Sequence, residues 1–240
     1  MKRVVVMFGV MVIGLLSVQV QGDLLLPAGD IYADASANNT TFADGTSPWS
    51  TTTGGAADGL WWQRTGYGYN AAGQLAGDIY EAVSDLTNWR PTGPVQGLKT
   101  TASGLVDGMD YNVYVVYASK SIGENWNVTA DFSPITTDDN GTVTSGITYG
   151  AAAATYEGVS VLPGEVIDDN GGGIFQFRGL IGTITGDASG MLDVYVDDIS
   201  NLVTGNERAW YDGVYLEAVP EPATMLLLGL GSLAIVRKRK

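Results

Sequence analysis

The sequence predicts an all-β protein folded as a single antiparallel β-sandwich of jelly-roll or Greek-key type, on three observations. Thr, Val, Tyr and Trp are plentiful, and 33 glycines in 240 residues is about twice the usual frequency. Short apolar stretches follow one another from Leu98 to Glu217, divided by turn signals such as Asp139-Asn140-Gly141, Pro163-Gly164 and Gly186-Asp187. Neither a long helical periodicity nor a Pro-rich linker interrupts them.

The two ends read differently from this body. Lys2 and Arg3 precede an apolar run from Val4 to Leu16, and Val20 and Gly22 stand at the minus three and minus one positions of a cleavage site. Residues 1–22 therefore read as a helical secretory signal peptide, too short to span a bilayer. At the other end, Pro220-Glu221-Pro222 leads into the uncharged residues 223–236 and then Arg237-Lys238-Arg239-Lys240. As a helix the uncharged segment measures about 21 Å against a bilayer core of about 30 Å, which suits a signal that is read and then removed. Pro220 and Pro222 keep Glu221 extended and open to a processing enzyme. The basic end resists translocation, so the body, residues 23–218, is the exported part.

That body holds 25 of the 26 acidic residues and 6 of the 12 basic ones, a formal charge of 6 − 25 = −19. Such a charge excludes nucleic acid as a partner, since a basic face is needed to displace counterions from phosphates. It is compatible with divalent cations, with neutral glycans, or with solubility alone. The chain has no Cys and no His, which removes disulfide staples, ordinary zinc and copper sites and Ser-His-Asp or Cys-His catalysis. No cofactor is expected, with calcium, which takes oxygen ligands, remaining possible.

In order along the chain, residues 23–73 read as long loops or irregular edges, interrupted by Trp61-Trp62-Gln63-Arg64 and Gly66-Tyr67-Gly68-Tyr69. A helical turn is expected from Ala76 to Leu86. Leu98 to Ala102 is a short strand, and residues 103–110 form a corner. Tyr111 to Ala118 is apolar on both faces and belongs in the middle of a sheet. From Trp126 to Phe132 apolar and polar residues alternate, giving a strand with one wet face. Strands follow at Gly141 to Tyr149, Thr155 to Leu162, Ile174 to Thr185, Met191 to Val196 and Arg208 to Glu217, for 8 to 12 strands in all.

Three constellations could carry chemistry. Acidic turns at Asp138-Asp139-Asn140 and Asp168-Asp169-Asn170, with Asp193 near Asp197-Asp198, could gather oxygens for calcium, although Asp, Asn and Gly are also the default turn residues. Trp61, Trp62, Tyr67, Tyr69 and Trp89, with Trp49, are candidates for a glycan platform, since sugars present apolar C–H faces to flat rings; large rings in a sandwich also serve as core. Glycoside hydrolysis needs only two carboxylates, but among 25 no pair stands out, and the chain is not expected to be an enzyme.

The tail of Pro220-Glu221-Pro222, short apolar helix and basic end resembles the PEP-CTERM sorting signal over residues 219–240. The resemblance implies export across the inner membrane of a Gram-negative bacterium, transient anchoring there, recognition by an exosortase-type processing enzyme, and delivery to the cell surface or an extracellular polysaccharide matrix. Leu105, Gly108 and Tyr111 resemble the tyrosine corner of fibronectin type III and immunoglobulin-like sandwiches. The function expected is that of a structural or adhesive component of an exopolysaccharide or biofilm matrix. A carbohydrate-binding module with a defined sugar site and a matrix glycosidase or lyase are the alternatives.

Overall fold

The computed structural model describes residues 24–50, 61–83, 96–120, 126–139, 141–156, 158–169, 174–198 and 208–220. The two terminal helices expected from the sequence lie outside these residues, as do Trp89, Asn140, Asn170, Glu221 and Pro222. The described residues form fifteen strands and no helix: β1 (Ile31–Asp34), β2 (Thr40–Phe42), β3 (Trp49–Ser50), β4 (Trp61–Tyr69), β5 (Leu75–Val83), β6 (Leu98–Ser103), β7 (Asp110–Ser119), β8 (Asn127–Asp131), β9 (Ile147–Gly150), β10 (Ala154–Tyr156), β11 (Val159–Pro163), β12 (Glu165–Asp169), β13 (Phe175–Thr185), β14 (Met191–Asp197) and β15 (Arg208–Ala218).

Two packed sheets result. The larger runs β12-β13-β7-β15-β5-β4-β3, and the smaller β10-β11-β9-β8-β14-β6-β2. One edge of β15 is taken by β7; the other is shared by β5, opposite residues 208–211, and β1, opposite residues 213–216. The named pairings are antiparallel apart from β3 with β4 and β9 with β11.

Period-two alternation explains the packing. On β7, Tyr111, Val113, Val115 and Tyr117 are at most 1% exposed and face the smaller sheet, while Val116 and Ala118 are buried on the other side. The strand sits between β13 and β15, as its doubly apolar pattern requires. Against its inner row pack Val128 and Ala130 of β8, Val194 and Val196 of β14, and Leu98 and Ala102 of β6. Three tyrosine hydroxyls cross between the sheets. Tyr117 donates to the Gly150 carbonyl at 2.7 Å, Tyr149 to the Leu180 carbonyl at 2.6 Å, and Tyr211 bonds Thr100 Oγ1 at 2.7 Å. At the corner before β7, the Val106 N–H donates to the Tyr111 hydroxyl at 3.1 Å, with Gly108 at a φ of +79°.

Several expectations are corrected. Residues 76–83 of the expected helical turn are strand, because β5 is hydrogen-bonded on both sides and cross-strand pairing overrides weak local helix preference. Gly77 lies against the Tyr69 carbonyl, an approach that no side chain would permit. The segment before Gly73 contributes β1 to β4 rather than loops alone. Most of the expected wet face of β8 is dry: Asn127 and Thr129 are buried, with the Thr129 hydroxyl satisfied by that of Thr148 at 2.9 Å, and Asp131 at the strand's end is half-buried. Residues 141–149 form a single bridge, Thr137 with Val143, and then β9.

An aromatic and cationic face as candidate functional site

The outer side of the larger sheet carries a band of rings and cations. Register places Trp62 of β4, Glu81 of β5 and Trp210 of β15 in one row across the sheet, with Arg64 and Ile79 in the next. A register shift after Thr65, with Gly66 at a φ of +82°, brings Tyr67 to the same side. The Arg64 guanidinium lies over three rings at once, 5.2 Å from Trp62, 5.1 Å from Tyr67 and 5.0 Å from Trp210. Trp126, just before β8, packs on Trp210 with centroids 4.2 Å apart. Lys120 follows β7 and holds its ammonium 5.9 Å from the Trp126 ring and 5.8 Å from that of Trp210. Trp126 and Trp210 are buried, Trp62, Arg64 and Tyr67 half-buried, and Lys120 exposed. Gln176 donates from Nε2 to the Tyr67 carbonyl at 2.5 Å; its Oε1 and the Nε1 of Trp210 are buried and have no hydrogen-bond partner among the described residues.

Farther along the same face, Arg178 of β13 lies 4.5 Å from the Tyr114 ring and 5.7 Å from that of Tyr215. Carboxylates neutralise this half: Arg178 donates to Glu165 at 2.6 Å and has Glu217 at 4.0 Å. The Tyr114 hydroxyl also donates to Glu217, at 2.9 Å.

A third group lies at the edge of β1. Asp212, at a register shift in β15, is fully buried and accepts the Tyr69 N–H at 3.0 Å. Burial pushes its carboxyl well up, helped by the charge of Asp34. Burial first, and then the neighbouring Asp78, push Asp34 up to about 7. Asp34 lines a cavity of about 200 Å³ with Tyr32, Ser36 and Asn39. The same carboxylates, after burial, raise the phenol of Tyr80.

The aromatic residues singled out in the sequence divide by strand alternation. Trp62 and Tyr67 come together on the outer face. Trp61 and Tyr69 are both 0% exposed: Trp61 joins the core between the sheets and donates to the Gln96 carbonyl at 3.1 Å, while Tyr69 is buried on the outer side with Tyr32, Val116 and Tyr215. Trp89 lies outside the described residues, and of Trp49 only its strand pairing with Trp61 is described. Asp138 accepts the Thr142 N–H at 2.9 Å and closes a turn, beside the exposed Asp139. Asp168 and Asp169 are the last residues of β12, not a turn, because the strand pairs with Gln176 and Phe175. Among the described residues no group of three or more acidic side chains is placed to hold a metal ion. Arg64, Lys120, Trp126 and Trp210 were missed as site members. The spacing of Trp62 and Arg64, two apart on a strand, was the available signal; their meeting with β15 depends on long-range pairing.

The body ends as β15 does: the Ala218 N–H donates to Asp30 and the Val219 N–H to the Asp110 carbonyl, at 2.9 and 2.8 Å. Pro220, the next residue, is exposed. No curated protein and no solved structure matches the chain. Residues 218–240 match the PEP-CTERM protein-sorting motif, so the chain carries a C-terminal membrane-anchoring signal that marks it for export and for recognition by an exosortase-type membrane enzyme.

Proposed function

We propose that the body is a non-enzymatic adhesive domain of an extracellular polysaccharide matrix at the surface of a Gram-negative cell, and that it holds glycan on the outer face of the larger sheet. The observation that carries this reading is the half-exposed pair Trp62 and Tyr67, flanking Arg64 over the buried Trp210, on a chain addressed for export. Flat rings accept the C–H faces of a sugar while neighbouring polar groups read its hydroxyls. The platform is fixed in advance, since Trp62 and Tyr67 are held by the guanidinium between them and by the strand beneath. Little ordering is then left for the binding step.

The test is retention of the protein on an array of bacterial exopolysaccharides. Trp62→Ala with Tyr67→Ala should weaken retention by about tenfold or more, equivalent to about 1.4 kcal/mol, while a retained cooperative thermal transition shows the core intact. Retention equal to that of the unsubstituted protein would refute this face as the contact. Release of reducing sugar from a retained polymer would replace adhesion with hydrolysis.

A further inference from the structure

We propose that the glycan unit held on this face is acidic, a carboxylate-bearing sugar of the uronate class whose anionic group sits toward Lys120 and Arg64. The proposal rests on the glycan reading above and narrows it to a class of ligand.

Charge distribution is the first support. The body has only six bases against 25 acids, yet Arg64, Lys120 and Arg178 all lie on the outer side of the larger sheet over aromatic rings. On the smaller sheet, Lys99 sits 3.6 Å from Asp193. The outer face therefore gathers three of the six bases of a body of formal charge −19, alongside Glu81 in the row of Trp62 and Trp210 and the Arg178 partners Glu165 and Glu217.

The second support is how those cations are satisfied. Arg178 is matched by Glu165 and Glu217. Lys120 is exposed and forms no ion pair among the described residues; its neighbours are the rings of Trp126 and Trp210. A ring attracts an ammonium through its quadrupole but leaves the three N–H donors for an oxygen acceptor. Lys120 and Arg64 are 5.8 and 5.0 Å from the same Trp210 ring, so an anion placed there feels both within one screening length of about 8 Å.

The acidic remainder of the body repels an acidic polymer, and attachment is thereby confined to one face and one orientation.

The experiment is a titration of the full chain with polygalacturonate, with its fully methyl-esterified form, and with a neutral glucan. Esterification keeps the backbone and most hydroxyls and removes the charge. The acid form should bind about tenfold more tightly than the ester, the size of one charge-assisted contact. Lys120→Gln should bring the acid form to the level of the ester while leaving the ester unchanged. Trp62→Ala should weaken both. Equal affinity for acid and ester, binding of the glucan alone, or equal weakening of both polymers by Lys120→Gln overturns the acidic unit and leaves the glycan reading standing. Binding of none of the three polymers overturns both.

Discussion

Asp34 shows how one carboxyl couples this fold to pH. Its proton is retained up to about pH 7 in the folded chain, whereas the same group in the unfolded chain has lost it by about pH 4. Between those values the folded state binds more protons, so this contribution is fully present at low pH and is lost as pH rises through 7. Asp212 and Asp197, pushed up by burial, act in the same sense. At the acid end, Asp44 and Asp187, held below the usual range by Thr46 and Ser189, lose their contribution as they protonate. We predict a thermal midpoint that is highest near about pH 4 to 5 and falls toward about pH 7.5, with a shallower fall in Asp34→Asn. Midpoints that fall equally in both proteins would show that the slope arises elsewhere. None of this was legible in the sequence, where Asp34 lies in a stretch rich in Ala and Asn. Its burial depends on β1 pairing with residues 213–216 of β15, far along the chain. Trp61 and Trp62 were legible as a pair, but which one faces outward was fixed only by the register of β4.

Among the elements, β13 and β9 depend most visibly on a close approach. Gly179 of β13 is covered by the Tyr149 ring, whose hydroxyl reaches the neighbouring Leu180 carbonyl. A Cβ at Gly179 would overlap that ring, so Gly179→Ala should destabilise by about 1–3 kcal/mol. Tyr117→Phe and Tyr149→Phe, which lose one hydroxyl bond each, should cost about 1 kcal/mol apiece. Denaturant midpoints at constant slope would check this order; a neutral Gly179→Ala would mean the ring can be displaced at no cost. The central strands β7, β13, β14 and β15 were legible because their apolar alternation is long. The edges β2, β3 and β12 were not, because strands of two to five residues give too little period to see, and β10 and β11 were read together as one strand from Thr155 to Leu162. In the segment leading into β7, the Tyr111 hydroxyl accepts the Val106 N–H.

For the whole molecule, the address was written in the sequence while the aromatic and cationic outer face had to be folded to be seen. Pro220-Glu221-Pro222 carries its meaning locally, whereas the rings and cations of the outer face are drawn from β4, β15 and the two ends of the segment 120–126. With β15 ending at Ala218 and Val219 fastened to Asp110, removal of the tail from Pro220 onward leaves every ladder bond of the body in place. Mass spectrometry of the mature protein should therefore find a C-terminus at or just before Pro220 to Pro222. Recovery of the residues Arg237 to Lys240 from surface material would contradict processing there.

The strand that leads into the sorting motif also lies beneath the proposed polymer contact. Trp210 stands near the start of β15 and Ala218 at its end, eight residues or about 27 Å apart. Before the tail is removed, a chain held in the membrane by its anchor and gripped by a matrix at the rings would thus be pulled along the axis of β15 from opposite ends. Its bonds to β7 on one side, and to β5 and β1 on the other, lie across that axis. Such tension would load them together in shear rather than peel them one by one, and the central strand of the larger sheet would then act as a mechanical tie.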